Sequence, residues 1–401
     1  MYLTSRHVLA SAVAAALFLG PLSAIAGTVT GPGTTYTVNP GDPLESWSVT
    51  DGAALTVAPG AAAADIQVDN AAITLSDGAT AGRTTAGNGA TVSVTGGSIA
   101  ANTPFRALSL GGQSSAVFNR GTLSNTGGTA LSLLVDSSLV GSSAAFTDST
   151  ISGIASAATV SSGSAITLSN SSITATGGTE FDGAITTFGG AVTALNGSVI
   201  RGEAHGLSIL HASSLAVARP GDGTVIIDGS SVVGTAGSAI NVRSDGTGLL
   251  ASTDIFVRNG ASLSGGDGNI LTVEQGSATD RITTANLFVE GSVLDGNVLV
   301  AADGSVGNVT LSNGGRINGS FTGVNAATID QGGYWQLTGN SSVNTLTAAT
   351  GGVVALGNGT AFNTLTVSGN YTGNGGTLLF NTVLAGDDAA SDKLVIGGDS
   401  S

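Results

Sequence analysis

Ser149-Thr150-Ile151, Ile166-Thr167-Leu168 and Ser171-Ser172-Ile173 fall within residues 149–173. Each triplet sets one or two aliphatic residues against Ser or Thr and stops at a small or turn-forming residue. Such period-two alternation over a few residues is the pattern of a short strand with one buried face. A small residue, then Ser or Thr, then an aliphatic residue recurs on both sides. It appears as Gly97-Ser98-Ile99, Gly121-Thr122-Leu123, Gly197-Ser198-Val199, Ser230-Ser231-Val232, Ala261-Ser262-Leu263 and Gly291-Ser292-Val293. Gly315-Arg316-Ile317 and Ser341-Ser342-Val343 continue it loosely, and Ser137-Ser138-Leu139 falls between two of these copies.

The aliphatic residues of successive copies are 22 to 33 residues apart, with a mean of about 27. An irregular period of that length, with no sustained helical stripe, predicts a solenoid of β-coils. Leu131-Ser132-Leu133, Leu207-Ser208-Ile209, Ile240-Asn241-Val242, Leu271-Thr272-Val273, Leu287-Phe288-Val289 and Val309-Thr310-Leu311 join Ile166-Thr167-Leu168 as inward-facing triplets. Their middle residues face outward. Corners require backbone with positive φ, which accounts for Asp77-Gly78, Asp228-Gly229, Asp245-Gly246, Asp295-Gly296, Asp303-Gly304 and Asn358-Gly359. The expected fold is an all-β, right-handed parallel β-helix with a C-terminal cap. About fourteen coils at the spacing of paired strands give a body on the order of 65 Å long.

Residues 1–26 read as a secretory signal peptide: Arg6 and His7, a small apolar run from Val8 to Gly20, and Ala24-Ile25-Ala26 as a cleavage site before Gly27. The apolar run is shorter than the ~20 residues of a spanning helix. Removing 26 of 401 residues leaves 375, and loss of Arg6 takes the net charge from −15 to −16. Lys393 is the only lysine. A basic footprint for nucleic acid is therefore absent, and anionic membrane surfaces are poor partners. Zero cysteines exclude thiol chemistry and cysteine-ligated metals. Glycine is abundant at 63 residues but has no three-residue period, and 41 % hydrophobic residues argue against disorder.

The last seventy or so residues carry a resemblance. Tyr334-Trp335-Gln336-Leu337-Thr338-Gly339-Asn340-Ser341-Ser342-Val343-Asn344-Thr345-Leu346-Thr347 is followed by Thr364-Leu365-Thr366-Val367, by Asn370-Tyr371-Thr372-Gly373-Asn374-Gly375-Gly376-Thr377-Leu378-Leu379-Phe380-Asn381-Thr382, and by Asp392-Lys393-Leu394-Val395-Ile396. In order and spacing these runs resemble the C-terminal cap, or autochaperone, of pertactin-like autotransporter passenger domains. The resemblance divides the chain into a leader (1–26), a β-helix passenger (27–333) and an incomplete cap (334–401). It implies export through type V secretion to the cell surface, outer membrane or medium, by way of the periplasm. It also implies an outer-membrane translocator barrel as partner, which such proteins carry beyond the cap. A chain ending at Ser401 is expected to be a fragment or a truncated reading frame, or to work without its own barrel. Tyr334, Trp335, Phe362, Tyr371 and Phe380 are expected to plug the end of the coil, and the cap to fold first.

Candidate chemistry is sparse. His205 and His211 are the histidines outside the leader, and Glu203, His205 and Ser208 can be imagined as a triad, which only geometry can establish. His205-Gly206, Arg316-Ile317-Asn318 and Asp387-Asp388 echo sugar-cleaving β-helices, but in the wrong order and without an Asn-Thr-Asp signature. Gly398-Asp399-Ser400 echoes a hydrolase nucleophile and reads as a turn. Gly265-Gly266-Asp267-Gly268-Asn269 opens like a calcium-binding repeat, but Ile270 breaks it and no tandem copy follows. Arg201-Gly202-Glu203 is one change away from an integrin-binding tripeptide. No catalytic, cofactor-binding or metal-binding residue is assigned. The expected role is a non-enzymatic adhesin meeting host, matrix or neighbouring-cell surfaces. The alternatives are an enzyme passenger hydrolysing polysaccharide, ester or peptide, and a truncated remnant. For the enzyme, the longest intervals are the expected loop sites, at Arg219-Pro220-Gly221-Asp222-Gly223 and Ser244-Asp245-Gly246-Thr247-Gly248.

Overall fold

The computed structural model describes residues 25–136, 140–212, 223–245, 251–275, 283–386 and 388–401. Ser137-Ser138-Leu139, the turn at 219–222, Gly246-Thr247-Gly248 and Asp387 lie outside the described residues. So does the leader, apart from Ile25 and Ala26, which open the first strand, Ile25–Thr30. Every strand pairing between the described elements is parallel, with no helix among them, so the chain is a parallel β-helix.

Three strand ladders run along it. The first face has thirteen strands, from Ile25–Thr30 to Phe321–Thr322. The second face runs from Thr35–Val38 to Lys393–Ile396 as an open stack. The third runs from Ala62–Ala63 to Ser262–Gly265 and continues in register of its own from Val293–Asp295 to Thr377–Leu379. On the second face the coil lengths are not uniform. The register Thr35, Ala54, Ala72, Thr91 advances by only 18 or 19 residues, whereas Val192 to Val225 takes 33. Sixteen coil levels result, about 70 Å at the spacing of paired strands. The triplet pattern yields fewer because the compact coils before Ile99 lack its Ser-Thr signature.

All seven inward triplets place both apolar residues in the core, which is stacked Val, Ile and Leu. Each such burial contributes about 1.5–3 kcal/mol. The turn pairs adopt the expected backbone, with Gly78, Gly229, Gly296, Gly304 and Gly359 at positive φ. Several corners dispense with glycine, using Asn70, Asp148 and Asn170 at φ near +50°.

The recurrent Ser has a specific task at the corner between the second and third faces. The Gly121 N–H donates to Ser149 Oγ (3.0 Å), Ser149 N–H to Ser171 Oγ (3.0 Å), Ser171 N–H to Ser198 Oγ (3.2 Å) and Ser198 N–H to Ser230 Oγ (3.1 Å). Each hydroxyl in turn donates to a carbonyl of its own coil, as Ser171 does to Ser169 O at 2.9 Å. Corner N–H groups that the strand ladders cannot reach are thereby satisfied inside the wall. This corrects two positions of the triplet reading. The corner residue of the later copies is Ser198 and Ser292, so the inward residues are Ile200 and Leu294, while Val293 is 58 % exposed. A third marker, Ser341-Ser342-Val343, belongs to the second face, not the third.

The aromatic plug is corrected in part, since Tyr371 does pack, partly buried, against the core. Trp335 is fully buried well below the end, stacked on Phe321 at 4.0 Å, with its indole N–H donating to Gly319 O. Tyr334 faces outward under Arg316, and Phe380 is 48 % exposed. Phe118 and Phe146 stack in the core far from the cap, so bulk is not confined to it. Pairing crosses residue 334 without a break. What distinguishes the C-terminal region is a fork: the long strand Ser341–Ala349 pairs with both Thr364–Val367 and Tyr371–Asn374. Buried Asp392 clasps the returning loop, accepting N–H donors from Asn363 (2.8 Å) and Asn381 (2.7 Å).

Ser171→Ala should remove an acceptor from a buried N–H and destabilise the protein by about 1–3 kcal/mol in urea unfolding. Ser172→Ala, on the outward side of the same strand, should change stability by less than about 0.5 kcal/mol.

Candidate functional site

Two outward surfaces depart from a plain Ser and Thr wall. On the first face, Thr186, Ser208, Asn241 and Thr272 occupy one outward file, yet all are buried. The segment from Thr179 to Asp182 folds over the middle of this file, while Thr186 and Thr272 share hydrogen bonds with Ser156 and Ser238 (both 2.6 Å). Gly177 and Gly178, at φ +72° and +110°, turn the chain outward there. Asp182 closes the turn by accepting from the Thr179 N–H (2.8 Å) and hydroxyl (2.9 Å). Ser208 Oγ then donates to Phe181 O (2.8 Å), and the His205 Nε2 lies 3.1 Å from Glu180 O. Arg243 stacks on the Phe181 ring at 4.3 Å. Its guanidinium lies 3.5 Å from Glu274 and 3.8 Å from the exposed Glu180. The Asn241 amide donates to Glu274 Oε1 (3.3 Å), while its own oxygen, His205 Nδ1 and Arg243 Nε are buried without a partner.

The imagined triad is not assembled. Ser208 spends its proton on a backbone carbonyl, so the nucleophile–base hydrogen bond is missing. Glu203 instead accepts from the Gly177 N–H. Arg316 lies on the third face, bonded to Asn318 (2.7 Å), away from His205 on the first. Asp267 is engaged by the Ser238 hydroxyl and the Asn269 N–H, both at 2.9 Å. Asp399 donates its N–H to Asn370, and its carbonyl accepts from the Tyr371 N–H in an edge pairing. Arg201 is exposed on the third face, and Asp388 sits in an exposed turn. Among the described residues no group of three His, Asp or Glu could hold a metal ion.

His211 is buried, with Nε2 sharing a 2.8 Å hydrogen bond with Thr253 Oγ1 and Nδ1 unpartnered. Burial lowers its pKa from 6.5 to about 4.

The second surface is an asparagine ladder along the second face. Asn286 Nδ2 donates to Asp254 (2.8 Å), Asn308 to Asn286 (2.8 Å), Asn325 to Asn308 (2.9 Å) and Asn344 to Asn325 (3.3 Å). The chain of amides crosses five coils and ends on a carboxylate. Asn308 and Asn325 each keep a second N–H and a second lone pair for an outside partner, while Asn286 Nδ2 also reaches Ser252 Oγ at 3.5 Å. Beside it runs a file that reads Thr37, Thr56, Thr74, Ser93 in the compact coils and Thr310, Thr328, Thr347, Thr372 toward the C-terminus. Sequence reasoning missed both the ladder and the Glu180–Arg243–Glu274 bridge. The available signal was an outward Asn or charged residue recurring at coil spacing.

Residues 341–401 match the family model of the autochaperone domain type 1. The chain is 33 % identical over 144 residues to the uncharacterized protein YuaQ of Escherichia coli (strain K12). It is 31 % identical over 196 residues to a protein described as probable autotransporter YfaL of the same organism. These alignments cover 34 % and 47 % of this chain but only 9 % and 12 % of the two relatives.

The unfolded His211 titrates near its ordinary 6.5, so it carries no penalty above that pH. Between 6.5 and 4 the unfolded state binds the extra proton and stability falls, by about 3 kcal/mol in all for this group. His211→Gln should flatten that part of the stability–pH curve, read as the difference from the native protein in chemical unfolding at pH 7.5 to 4.

Proposed function

We propose that this chain, an autotransporter passenger domain, is a non-enzymatic adhesive surface whose contacts are made by the outward files of the β-helix. The autochaperone region implies a translocator partner and export toward the cell surface or outer membrane. The observation that carries the adhesive reading is the asparagine ladder from Asp254 to Asn344. Its amides are held in register by one another, so little side-chain entropy remains to be lost on binding. A row of such groups at coil spacing forms many weak hydrogen bonds at once, and the sum is governed by effective concentration rather than by one strong contact. The acidic balance of the chain keeps such a surface soluble and selects against anionic partners.

An enzymatic reading has one observation in its favour: two carboxylates, Glu180 and Glu274, meet a single arginine beside His205. A saccharide- or ester-hydrolysing activity at this place would be lost in Glu274→Gln and kept in Asn308→Ala.

A strain displaying the passenger should bind host cells, matrix or neighbouring cells more strongly than a strain lacking it. Asn286→Ala with Asn308→Ala should bring binding down toward the non-displaying strain, while thermal unfolding of the purified passenger stays close to native. Equal binding by displaying and non-displaying strains would overturn the adhesive reading.

A further inference from the structure

The threonine file of the second face is broken by Val117 and Ala145 and then, after Thr167 and Thr193, at three successive coils with larger side chains. Thr193 is followed in register by Ile226, Phe256 and Phe288, and the file returns to threonine at Thr310. These three side chains point away from the core, since Val225, Ile227, Ile255, Val257, Leu287 and Val289 beside them are the buried ones. All three are half-buried. The Phe256 and Phe288 rings stack on each other, 4.9 Å apart and 13° from parallel. Their shared faces are thereby closed, and the pair turns ring edges to solvent. A sugar stacking on an open aromatic face is therefore a poor fit.

The flanking files are charged in a complementary way. Two residues before the apolar file stand Thr224, Asp254 and Asn286; two residues after it stand Asp228, Arg258 and Glu290. We infer that this patch pairs with the same patch of a second copy of the chain, the two coils running in the same direction about a two-fold axis parallel to them. This deepens the adhesive reading above by naming a partner and a register. In that arrangement each coil level meets its own counterpart with the strand direction reversed. Ile226, Phe256 and Phe288 meet themselves, so apolar edges leave water together. Asp254 faces Arg258 of the second copy, Asn286 faces its Glu290, and Thr224 faces its Asp228. Every flanking acceptor thus meets a donor, and no like charges are opposed at the three levels. Arg258 now lies 2.8 Å from Asp228, 40 % exposed, and its remaining N–H groups are available to a second carboxylate. The opposite orientation, centred on Phe256, also joins apolar residues, with Ile226 against Phe288, but it opposes Asp254 to Asp254, Arg258 to Arg258 and Asp228 to Glu290, and is less favourable for that reason. An aromatic centre with a polar, charge-complementary rim is the usual anatomy of a specific contact.

Sedimentation of the purified chain over a wide concentration range should show a monomer–dimer equilibrium. Phe256→Thr with Phe288→Thr extends the threonine file from Thr310 back by two coils, should fold natively by circular dichroism, and should weaken the dimer at least roughly tenfold. Register is read with Thr310→Cys in a chain that otherwise has no cysteine. Facing sheets stand about 10 Å apart, beyond disulfide reach, so a short bis-maleimide is the probe. It should link Thr310→Cys to its own counterpart. A chain that stays monomeric, or a dimer insensitive to the two Thr substitutions, overturns the proposal. A dimer that links Thr310→Cys only to Thr193→Cys overturns the register. Solution pairing and cell binding fail separately: an adherent monomer removes only this dimer, and a dimer that confers no adherence removes only the adhesive reading.

Discussion

Each coil of this protein is hydrogen-bonded to the coil before it and the coil after it, strand on parallel strand. That pairing dictates the chemistry of every face and corner. A residue in one coil is stacked on a defined residue 18 to 33 positions away. Whatever the wall demands at one level is demanded again at the next. The interior asks for Val, Ile and Leu, and the corners ask for a small residue with its N–H satisfied. Ser149, Ser171, Ser198 and Ser230 meet that demand with the hydroxyl of one coil serving the N–H of its neighbour. Where glycine stands instead, the packing is closer: a Cβ at Gly315 would lie 2.0 Å from Val289 O. Serine and glycine at this corner are thus two answers to the same crowding.

The alternation of apolar and polar residues made the fold class legible, and the Ser-Thr-aliphatic triplets located one face for about seven coils. The errors have a physical pattern. A period of two is unchanged by a two-residue shift and inverted by a one-residue shift. Gly197-Ser198-Val199 offers two small residues before two aliphatic ones, so the alternation alone does not say whether Val199 or Ile200 turns inward. The corner bond to Ser198 decides it, and that bond is made by a residue 27 positions earlier. The compact coils before Ile99 escaped because alanine fills this corner at Ala61 and Ala79, leaving no serine mark. The aromatic residues misled for another reason. Their number in the cap suggested a plug, but the pleat sends Trp335 inward and Tyr334 outward, and composition carries no pleat phase.

Of the candidate site, almost nothing was legible from local sequence. Glu180, Arg243 and Glu274 come from separate turns of the solenoid and meet only because the first face stacks them. His205 and Ser208, close in sequence, are drawn apart in role by the segment that crosses them. The same holds for the asparagine ladder, whose members are separated by 17 to 32 residues. In a solenoid, chemistry is assembled along the axis, perpendicular to the direction in which a motif is read.

Apart from Val117 and Ala145, which break the threonine file earlier, the exceptions to the files gather in one section. The buried polar file on the first face spans the strands from Gly183–Phe188 to Asn269–Gln275, and the aromatic break on the second face spans Thr224–Asp228 to Thr283–Glu290. These belong to the same section of the solenoid, where the coils are longest. The strands there lengthen too: Ala251–Arg258 and Thr283–Glu290 have eight residues each, against four for Ala54–Val57. A four-residue strand presents two outward residues, which is enough for a threonine file and little else. An eight-residue strand presents four, enough for an apolar centre with a charged residue on each side. With only 9 % charged residues in the whole chain, the meeting of Asp228, Asp254, Arg258 and Glu290 on one face and of Glu180, Arg243 and Glu274 on another is a concentration of chemistry into this section. If the outward files are the binding surface, mutational effects on binding should concentrate between residues 180 and 344, where the long coils and the asparagine ladder lie, and effects on stability should spread along the corner ladders.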